Sequence, residues 1–122
     1  MQNLKFLIVE DESLVAFQLK KGLTRAGHTV CGMAASGEQA LAVAREENPQ
    51  VILMDINLLG AMDGIEAARQ ISKFLSASII FTTGYADSGL KERAMALHPA
   101  AYLSKPVDVP QIRAVLEPIY GV

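Results

Sequence analysis

One segment of the chain, VILMD at residues 51–55, joins four large apolar residues to a single carboxylate. A short apolar run of this kind is typical of a strand that is buried on both faces of a parallel sheet. Asp55 is therefore expected at the carboxyl end of a buried strand, where open α/β sheets bind their ligands. The segment predicts both a fold class and the place of a site within it.

Three other apolar runs also end in side chains that can take part in chemistry. Because the strands of a parallel sheet point the same way, the residues that follow them are expected at one edge of the sheet. These residues are Glu10 and Asp11 after the run at 4–9, Thr82 and Thr83 after the run at 79–81, and Ser104, Lys105 and Pro106 after the run at 101–103. Together with Asp55 they predict one cluster of acids, hydroxyls and a lysine.

The chain alternates five times between strand-like runs and apolar residues at helical spacing. Five β-then-α units in 122 residues indicate one domain, over residues 1–122, with an α/β fold. Right-handed crossovers favour a flavodoxin-like (βα)5 three-layer sandwich, with a parallel five-stranded sheet in the order 2-1-3-4-5. The first and third strands are neighbours in that order, so Glu10, Asp11 and Asp55 would share a crevice. The predicted strands cover residues 5–9, 29–33, 51–54, 78–81 and 101–103.

Capping residues and helix breakers delimit the predicted helices. The apolar stripe predicted for the third helix extends to Leu75, and that of the fourth extends to Leu97. The helices are expected to begin near Ser13, Ser36, Asp63, Ser88 and Asp108, and the first, second and fourth to end near Gly27, Asn48 and Pro99.

Composition and charge exclude several classes of protein. The formal net charge of −2 provides no basic field for nucleic acid or for an anionic membrane. No apolar stretch approaches the roughly 18 residues of a membrane span, and the first residues lack the layout of a signal peptide. The single Cys31 is interpreted as a small buried hydrophobe in a reducing compartment. We therefore expect a cytoplasmic protein.

The predicted cluster suits phosphoryl chemistry. Three crowded carboxylates repel one another unless a cation or a proton relieves them, and an all-oxygen cluster suits Mg²⁺. An oxygen of Asp55 could then act as a nucleophile towards phosphorus. Lys105 and the hydroxyl of Thr83 could bind the phosphoryl oxygens, since positioning and charge neutralisation supply most of the catalysis in phosphoryl transfer.

Along its whole length the chain resembles the receiver domains of two-component response regulators. The motifs that carry the resemblance are Glu10-Asp11, Asp55 with Asn57 two residues on, Met62-Asp63-Gly64, Thr83-Gly84, and Tyr102 three residues before Lys105-Pro106. The resemblance implies that Asp55 accepts a phosphoryl group from a sensor histidine kinase or a phosphotransfer protein. It also implies that the domain catalyses only its own phosphorylation and dephosphorylation, and is a switch rather than an enzyme.

The resemblance assigns roles to individual residues. Asp11 and Asp55 would bind Mg²⁺ with the backbone carbonyl of Asn57, and Glu10 would act mostly through water. Thr83 and Lys105 would hold the phosphate, and the Lys105-Pro106 peptide would be cis. Tyr102 would turn inward when Thr83 moves onto the phosphate. The helix at residues 88–97, the fifth strand and the last helix would then form a surface for a partner or for a homodimer.

Some positions depart from the commonest pattern of the family. The first acid is Glu10 where aspartate is frequent, and its side chain has a longer reach. The loop at residues 58–62 lacks the usual proline and is one residue longer. Tyr85 lies near Tyr102 in the expected fold and is an alternative for its role.

Two other functions share part of the pattern. A phosphatase related to haloacid dehalogenases also uses an aspartate nucleophile, but it follows the first strand and has a second aspartate two residues on, whereas Asp55 follows the third strand and is paired with Asn57. An FMN-binding flavodoxin-like module needs a hydroxyl-rich or glycine-rich phosphate loop after the first strand. The chain has Glu10-Asp11-Glu12 there, which would repel a phosphate.

Overall fold

The computed structural model describes residues 3–84 and 88–121. Strands and helices alternate along these ranges, as the sequence predicts. The elements are β1 (Lys5–Val9), α1 (Ser13–Arg25), β2 (Thr29–Ala34), α2 (Gly37–Glu47), β3 (Val51–Asp55), α3 (Gly64–Ile71), β4 (Ser78–Thr83), α4 (Ser88–Met95), β5 (Ala101–Ser104) and α5 (Val109–Tyr120).

The sheet is parallel and has the predicted strand order β2-β1-β3-β4-β5. β1 lies beside β3, with Val9 opposite Met54, so the residues that follow β1 adjoin the end of β3. β4 and β5 are also neighbours, and Thr83 pairs with Ser104. The register therefore aligns the carboxyl ends of the four strands at which the site was predicted.

Alternate side chains of each central strand enter two separate cores. Phe6 and Leu53 belong to the core that α1 and α5 cover. Leu7 and Met54 belong to the core beneath α2, α3 and α4. This alternation produces three layers, helices on each face of one sheet, and confirms the predicted sandwich.

Three helix starts follow the capping pattern of the sequence. Asp63 accepts a hydrogen bond from the backbone of Glu66, and Asp108 forms a full capping box with Gln111. Ser36 accepts a bond from the backbone N–H of Gln39, but the amide oxygen of Gln39 accepts from Ala35 rather than from Ser36. Ser36 and Gln39 therefore do not form a reciprocal capping box at α2.

Several element boundaries differ from the prediction. β3, β4 and β5 continue to Asp55, Thr83 and Ser104, because backbone pairing with neighbouring strands extends beyond the apolar runs. α3 ends at Ile71, so Leu75 packs on the core from the turn that follows the helix. α4 ends at Met95, and the backbone N–H groups of Leu97 and His98 then donate tight turn bonds to the carbonyls three residues earlier.

Two further observations bear on expectations from the sequence. Cys31 is only partly buried, and this burial raises the pKa of its thiol, which makes it a weak nucleophile. None of the helices in the described ranges combines the length and apolar character of a bilayer crossing. The cap proposed at the Ser88 side chain and the alternative role of Tyr85 lie outside what the structure describes.

Candidate functional site

The three predicted acids meet at the carboxyl edge of the sheet. Glu10 and Asp11 follow β1 directly, and Asp55 is the last residue of β3. Oxygen atoms of all three lie within 4.8 Å of one another. Glu10 and Asp55 are only 5% and 2% exposed, so two of the three charges are held away from bulk water.

Lys105 neutralises part of this buried charge. Its ammonium nitrogen lies 2.8 Å from Oε1 of Glu10 and 3.1 Å from Oδ2 of Asp55. The backbone N–H of Lys105 donates to the carbonyl of Thr83 at 2.8 Å, and the Lys105-Pro106 peptide is cis. The lysine is therefore an internal partner of the acids and is not a solvated side chain.

The other oxygen of Asp55 faces the loop that leaves β3. The backbone N–H of Asn57 donates to Oδ1 of Asp55 at 3.1 Å. The hydroxyl of Thr83 donates to the side-chain oxygen of Asn57 at 3.3 Å. Asn57 thus connects the acid of β3 to the hydroxyl at the end of β4.

Burial and pairing act in opposite directions on the ionisable groups. Burial raises the pKa of Glu10 above its ordinary value, and its hydrogen bonds with Lys105 and with the backbone of Glu12 only partly offset that rise. Burial alone would lower the pKa of Lys105, but the bonds to Glu10 and Asp55 outweigh it, and the pKa is raised. The lysine therefore keeps its positive charge beside these acids.

The donor set fits a magnesium ion. Mg²⁺ prefers oxygen ligands at about 2.1 Å, so ligand oxygens on opposite sides of the ion lie about 4.2 Å apart. The spread of up to 4.8 Å among the oxygens of Glu10, Asp11 and Asp55 requires only a small inward movement. Carboxylates are also the ligands that hard divalent cations select.

Gly64 allows the start of α3 to lie against the end of β3. A Cβ atom at this position would be 2.0 Å from the carbonyl oxygen of Asp55 and 2.9 Å from Cα of Ile56. Both atoms belong to the backbone and cannot rotate away. The predicted Asp63-Gly64 start of α3 therefore also determines how closely the helix approaches β3.

The loop before α3 places one leucine in the core and the next on the surface. Leu58 is 7% exposed and fills the core, whereas Leu59 is 76% exposed. Gly60 follows with a φ of +104°, a backbone conformation that favours glycine. The positive φ lets the chain turn at Gly60 before it enters α3.

Asp63 has a second partner that the sequence did not indicate. One of its oxygens caps α3, and the other lies 3.4 Å from the guanidinium of Arg93 in α4. Nothing in the local pattern distinguishes Arg93 from a solvated arginine on a helix face. The contact links α4 to the loop beside Asp55.

Tyr102 is close to the site in the sheet but belongs to the core beneath α2, α3 and α4. It pairs with Phe81 in register, two positions before the pairing of Thr83 with Ser104. Its hydroxyl is buried and has no hydrogen-bond partner within the described ranges. The ammonium of Lys91 lies 5.9 Å from the centre of its ring.

A cavity of about 550 Å³ opens beside Lys105, between α1 and the segment that leads from β5 to α5. Its walls include the apolar side chains of Val15, Leu19 and Val107, and Glu10 also lines it. The charged cluster can therefore be approached from this side of the sheet.

The comparison with protein families agrees with this geometry. The family model for the response regulator receiver domain matches residues 6–117. The transcriptional regulatory protein PdtaR of Mycobacterium tuberculosis is 32% identical over 113 residues, which are 93% of this chain and 55% of that protein. The chain spans between 42% and 55% of the length of PdtaR and of two further curated regulators.

Solved structures show the same architecture. The signal receiver domain of a modulated diguanylate cyclase from Desulfovibrio desulfuricans has a TM-score of 0.89 and 35% identity, with 95% of this chain and 92% of that chain covered. A response regulator from Burkholderia pseudomallei, solved with a phosphorylated aspartic acid and a calcium ion, has a TM-score of 0.85 and 30% identity. That match covers 93% of this chain and 66% of the other.

Proposed function

The chain belongs to the response regulator receiver family, and on this premise we propose that Asp55 accepts a phosphoryl group from a histidine kinase or a phosphotransfer protein in a Mg²⁺-dependent reaction. The observation that carries the proposal is the position of Asp55. It is a buried carboxylate at a strand end, with Lys105 at 3.1 Å and two further acids within 4.8 Å. The similar Burkholderia pseudomallei regulator, which carries a phosphorylated aspartic acid, supports it.

In the proposed reaction an oxygen of Asp55 attacks the phosphorus of a phosphohistidine. The O–P bond forms as the P–N bond breaks, and the imidazole leaves with the electron pair and takes up a proton. Bound Mg²⁺, held by Asp11, Asp55 and the backbone carbonyl of Asn57, would supply neutralisation of the phosphoryl charge. Glu10 is expected to contribute to that site through water.

Lys105 and Thr83 are the proposed ligands of the transferred group. The ammonium of Lys105 already lies within hydrogen-bond distance of Asp55, so a short movement brings it to the phosphoryl oxygens. Thr83 is 1% exposed and its hydroxyl donates to Asn57, two residues beyond Asp55. One residue would bind by charge and the other by a hydrogen bond.

The proposed output is a change in the surface formed by α4, β5 and α5. Phosphorylation adds negative charge and strong acceptor oxygens at Asp55, towards which Thr83 would move. Tyr102 would fill the space that Thr83 leaves, and α4, β5 and α5 would bind a partner or a second copy of the domain. The net charge of −2 favours a protein partner over nucleic acid for this domain. The domain turns over no external substrate and is a switch.

Mass spectrometry with a small phosphodonor tests the central step. Incubation with acetyl phosphate and Mg²⁺ should add the mass of one phosphoryl group, and chelation of the metal should prevent it. Asp55→Asn should abolish the addition. Asp108→Asn is a matched control, because this carboxylate caps α5 and is not one of the three clustered acids, and asparagine also caps well. Persistent labelling of the Asp55→Asn protein at another residue would refute the assignment.

Metal titration tests the different roles proposed for Glu10 and Asp11 in binding Mg²⁺. Asp11→Asn should weaken Mg²⁺ binding more than Glu10→Gln does, because Asp11 would contact the ion directly and Glu10 would act through water. Equal losses of Mg²⁺ affinity in the two variants, or a larger loss for Glu10→Gln, would contradict this assignment of roles. Thermal melts in chelator should show a slightly more stable fold for either variant, if repulsion among the acids is relieved.

Nuclear magnetic resonance tests the output surface. Thr83→Ala should still accept a phosphoryl group or its mimic beryllofluoride, but it should transmit the change poorly. Chemical-shift changes over residues 88–120 should therefore be smaller than those of the wild-type protein. Changes of full wild-type size in that variant would rule out coupling through the Thr83 hydroxyl.

A further inference from the structure

We infer that Glu10 acts as a latch on Lys105: in the resting protein its carboxylate holds the lysine ammonium, and the phosphoryl group must compete with Glu10 for that cation. The inference rests on the proposed function, because it concerns the partner that Lys105 gives up when Asp55 is phosphorylated. It makes Glu10 a positioning residue, in addition to any role it has near a metal ion.

The geometry places Lys105 closer to Glu10 than to the acceptor. The ammonium nitrogen is 2.8 Å from Oε1 of Glu10 and 3.1 Å from Oδ2 of Asp55. The second oxygen of Glu10 accepts a hydrogen bond from the backbone N–H of Glu12 at 3.0 Å. With both oxygens engaged and its side chain only 3% exposed, Glu10 is fixed in the orientation that holds the lysine.

Phosphorylation changes the two acids unequally. When an oxygen of Asp55 is esterified, the carboxylate loses its charge and becomes a weaker acceptor for Lys105. Glu10 keeps its full charge and its contact. The position of the lysine then depends on the balance between the Glu10 carboxylate and the phosphoryl oxygens, since charge-assisted hydrogen bonds of both kinds are strong.

The length of Glu10 is essential to this role. An aspartate is shorter by one carbon–carbon bond, about 1.5 Å. The contact with Lys105 would lengthen from 2.8 Å to about 4 Å, which is beyond the range of a hydrogen bond. The Glu10→Asp variant would keep three carboxylates at the site and lose the latch. It therefore distinguishes the effect of the charge at position 10 from the effect of the side-chain length.

The binding of beryllofluoride at saturating Mg²⁺ provides the test, because a saturated metal site removes differences in metal affinity. Glu10→Asp should bind the mimic about tenfold more tightly than the wild-type protein, since one hydrogen bond to a charged group no longer competes. In a Lys105→Ala background the same change should alter the affinity by less than about twofold, because a double-mutant cycle isolates the pair.

The outcomes are distinct for the latch and for the function. Equal effects of Glu10→Asp in both backgrounds, or no effect in either, would overturn the latch while leaving Asp55 as acceptor. Failure of the wild-type protein to bind beryllofluoride would overturn the proposed function together with the latch.

A second measurement needs no phosphorylation. Proton exchange at the Lys105 ammonium, followed by ¹⁵N nuclear magnetic resonance in the metal-free protein, should be slow in the wild type and at least about tenfold faster in Glu10→Asp, because a hydrogen bond to a charged group is lost. Exchange at the same rate in both proteins would show that Glu10 does not hold the lysine.

Discussion

Replacing Gly64 with alanine should destabilise the fold and displace the end of β3, even though alanine is the better helix former. Gly64 is the first residue of α3, and its backbone lies against the end of β3. An added Cβ atom would be 2.0 Å from the carbonyl oxygen of Asp55 and 2.8 Å from the carbonyl carbon. Ordinary contacts of this kind exceed 3.0 Å, so the helix start must move by about 1 Å or more.

The two effects of this substitution have opposite signs. Higher helix propensity and a less flexible unfolded chain would stabilise the alanine variant by up to about 1 kcal/mol. Overpacking against backbone atoms costs about 1–3 kcal/mol, and loss of the bond from the Gly64 N–H to the Ile56 carbonyl, now 3.0 Å, costs about 1 kcal/mol. We expect a net loss of about 2 kcal/mol, which lowers the melting temperature by about 5–10 °C.

Urea denaturation followed by circular dichroism measures this loss, and Gly84→Ala is the matched control. Gly84 follows β4 at the same edge of the sheet, but a Cβ atom there would meet nothing within 4 Å. The free energy of unfolding of Gly84→Ala should stay within about 0.5 kcal/mol of the wild-type value. If Gly64→Ala is as stable as the wild-type protein, or more stable, the close approach of α3 to Asp55 does not constrain the fold as we argue.

Three further predictions concern the rest of the domain. Tyr102→Phe should be neutral or stabilising by up to about 1 kcal/mol in urea denaturation, because it removes a buried hydroxyl that has no partner in the described part of the chain; a clear loss would reveal a hydrogen bond. Burial lowers the pKa of His28 below its usual 6.5, and its Nδ1 accepts from the N–H of Leu4. The unfolded chain therefore binds the proton first, so stability should fall as the pH drops below 6.5, and His28→Gln should flatten that part of the profile. Asp108→Ala should cost about 1 kcal/mol in thermal melts through loss of the capping box with Gln111, whereas Asp108→Asn should cost much less.

Local patterns in the sequence were sufficient to predict the architecture and to identify which residues form the site. Short apolar runs and helical stripes alternate strongly enough to predict the layers, and crossover handedness restricts the strand order. Because parallel strands end at one edge, the residues after four runs could be placed together before any distance was known. Asp63 and Asp108 were identified as caps, since capping depends on only three or four neighbouring residues.

Contacts between distant segments were decided only by the tertiary structure. The sequence predicts that a carboxylate after one strand lies near a lysine after another. Which oxygen atom contacts the lysine nitrogen depends on how the two side chains are oriented across the sheet. The 2.8 Å contact of Lys105 with Glu10 and the link from Asp63 to Arg93 are of this kind. The true ends of β3 and β4 likewise depend on backbone pairing with neighbours, which includes Asp55 and Thr83 whatever their polarity. Local propensity acts over a few residues, whereas the two side-chain contacts join positions 30 and 95 residues apart, and packing of the whole domain is required to bring them together.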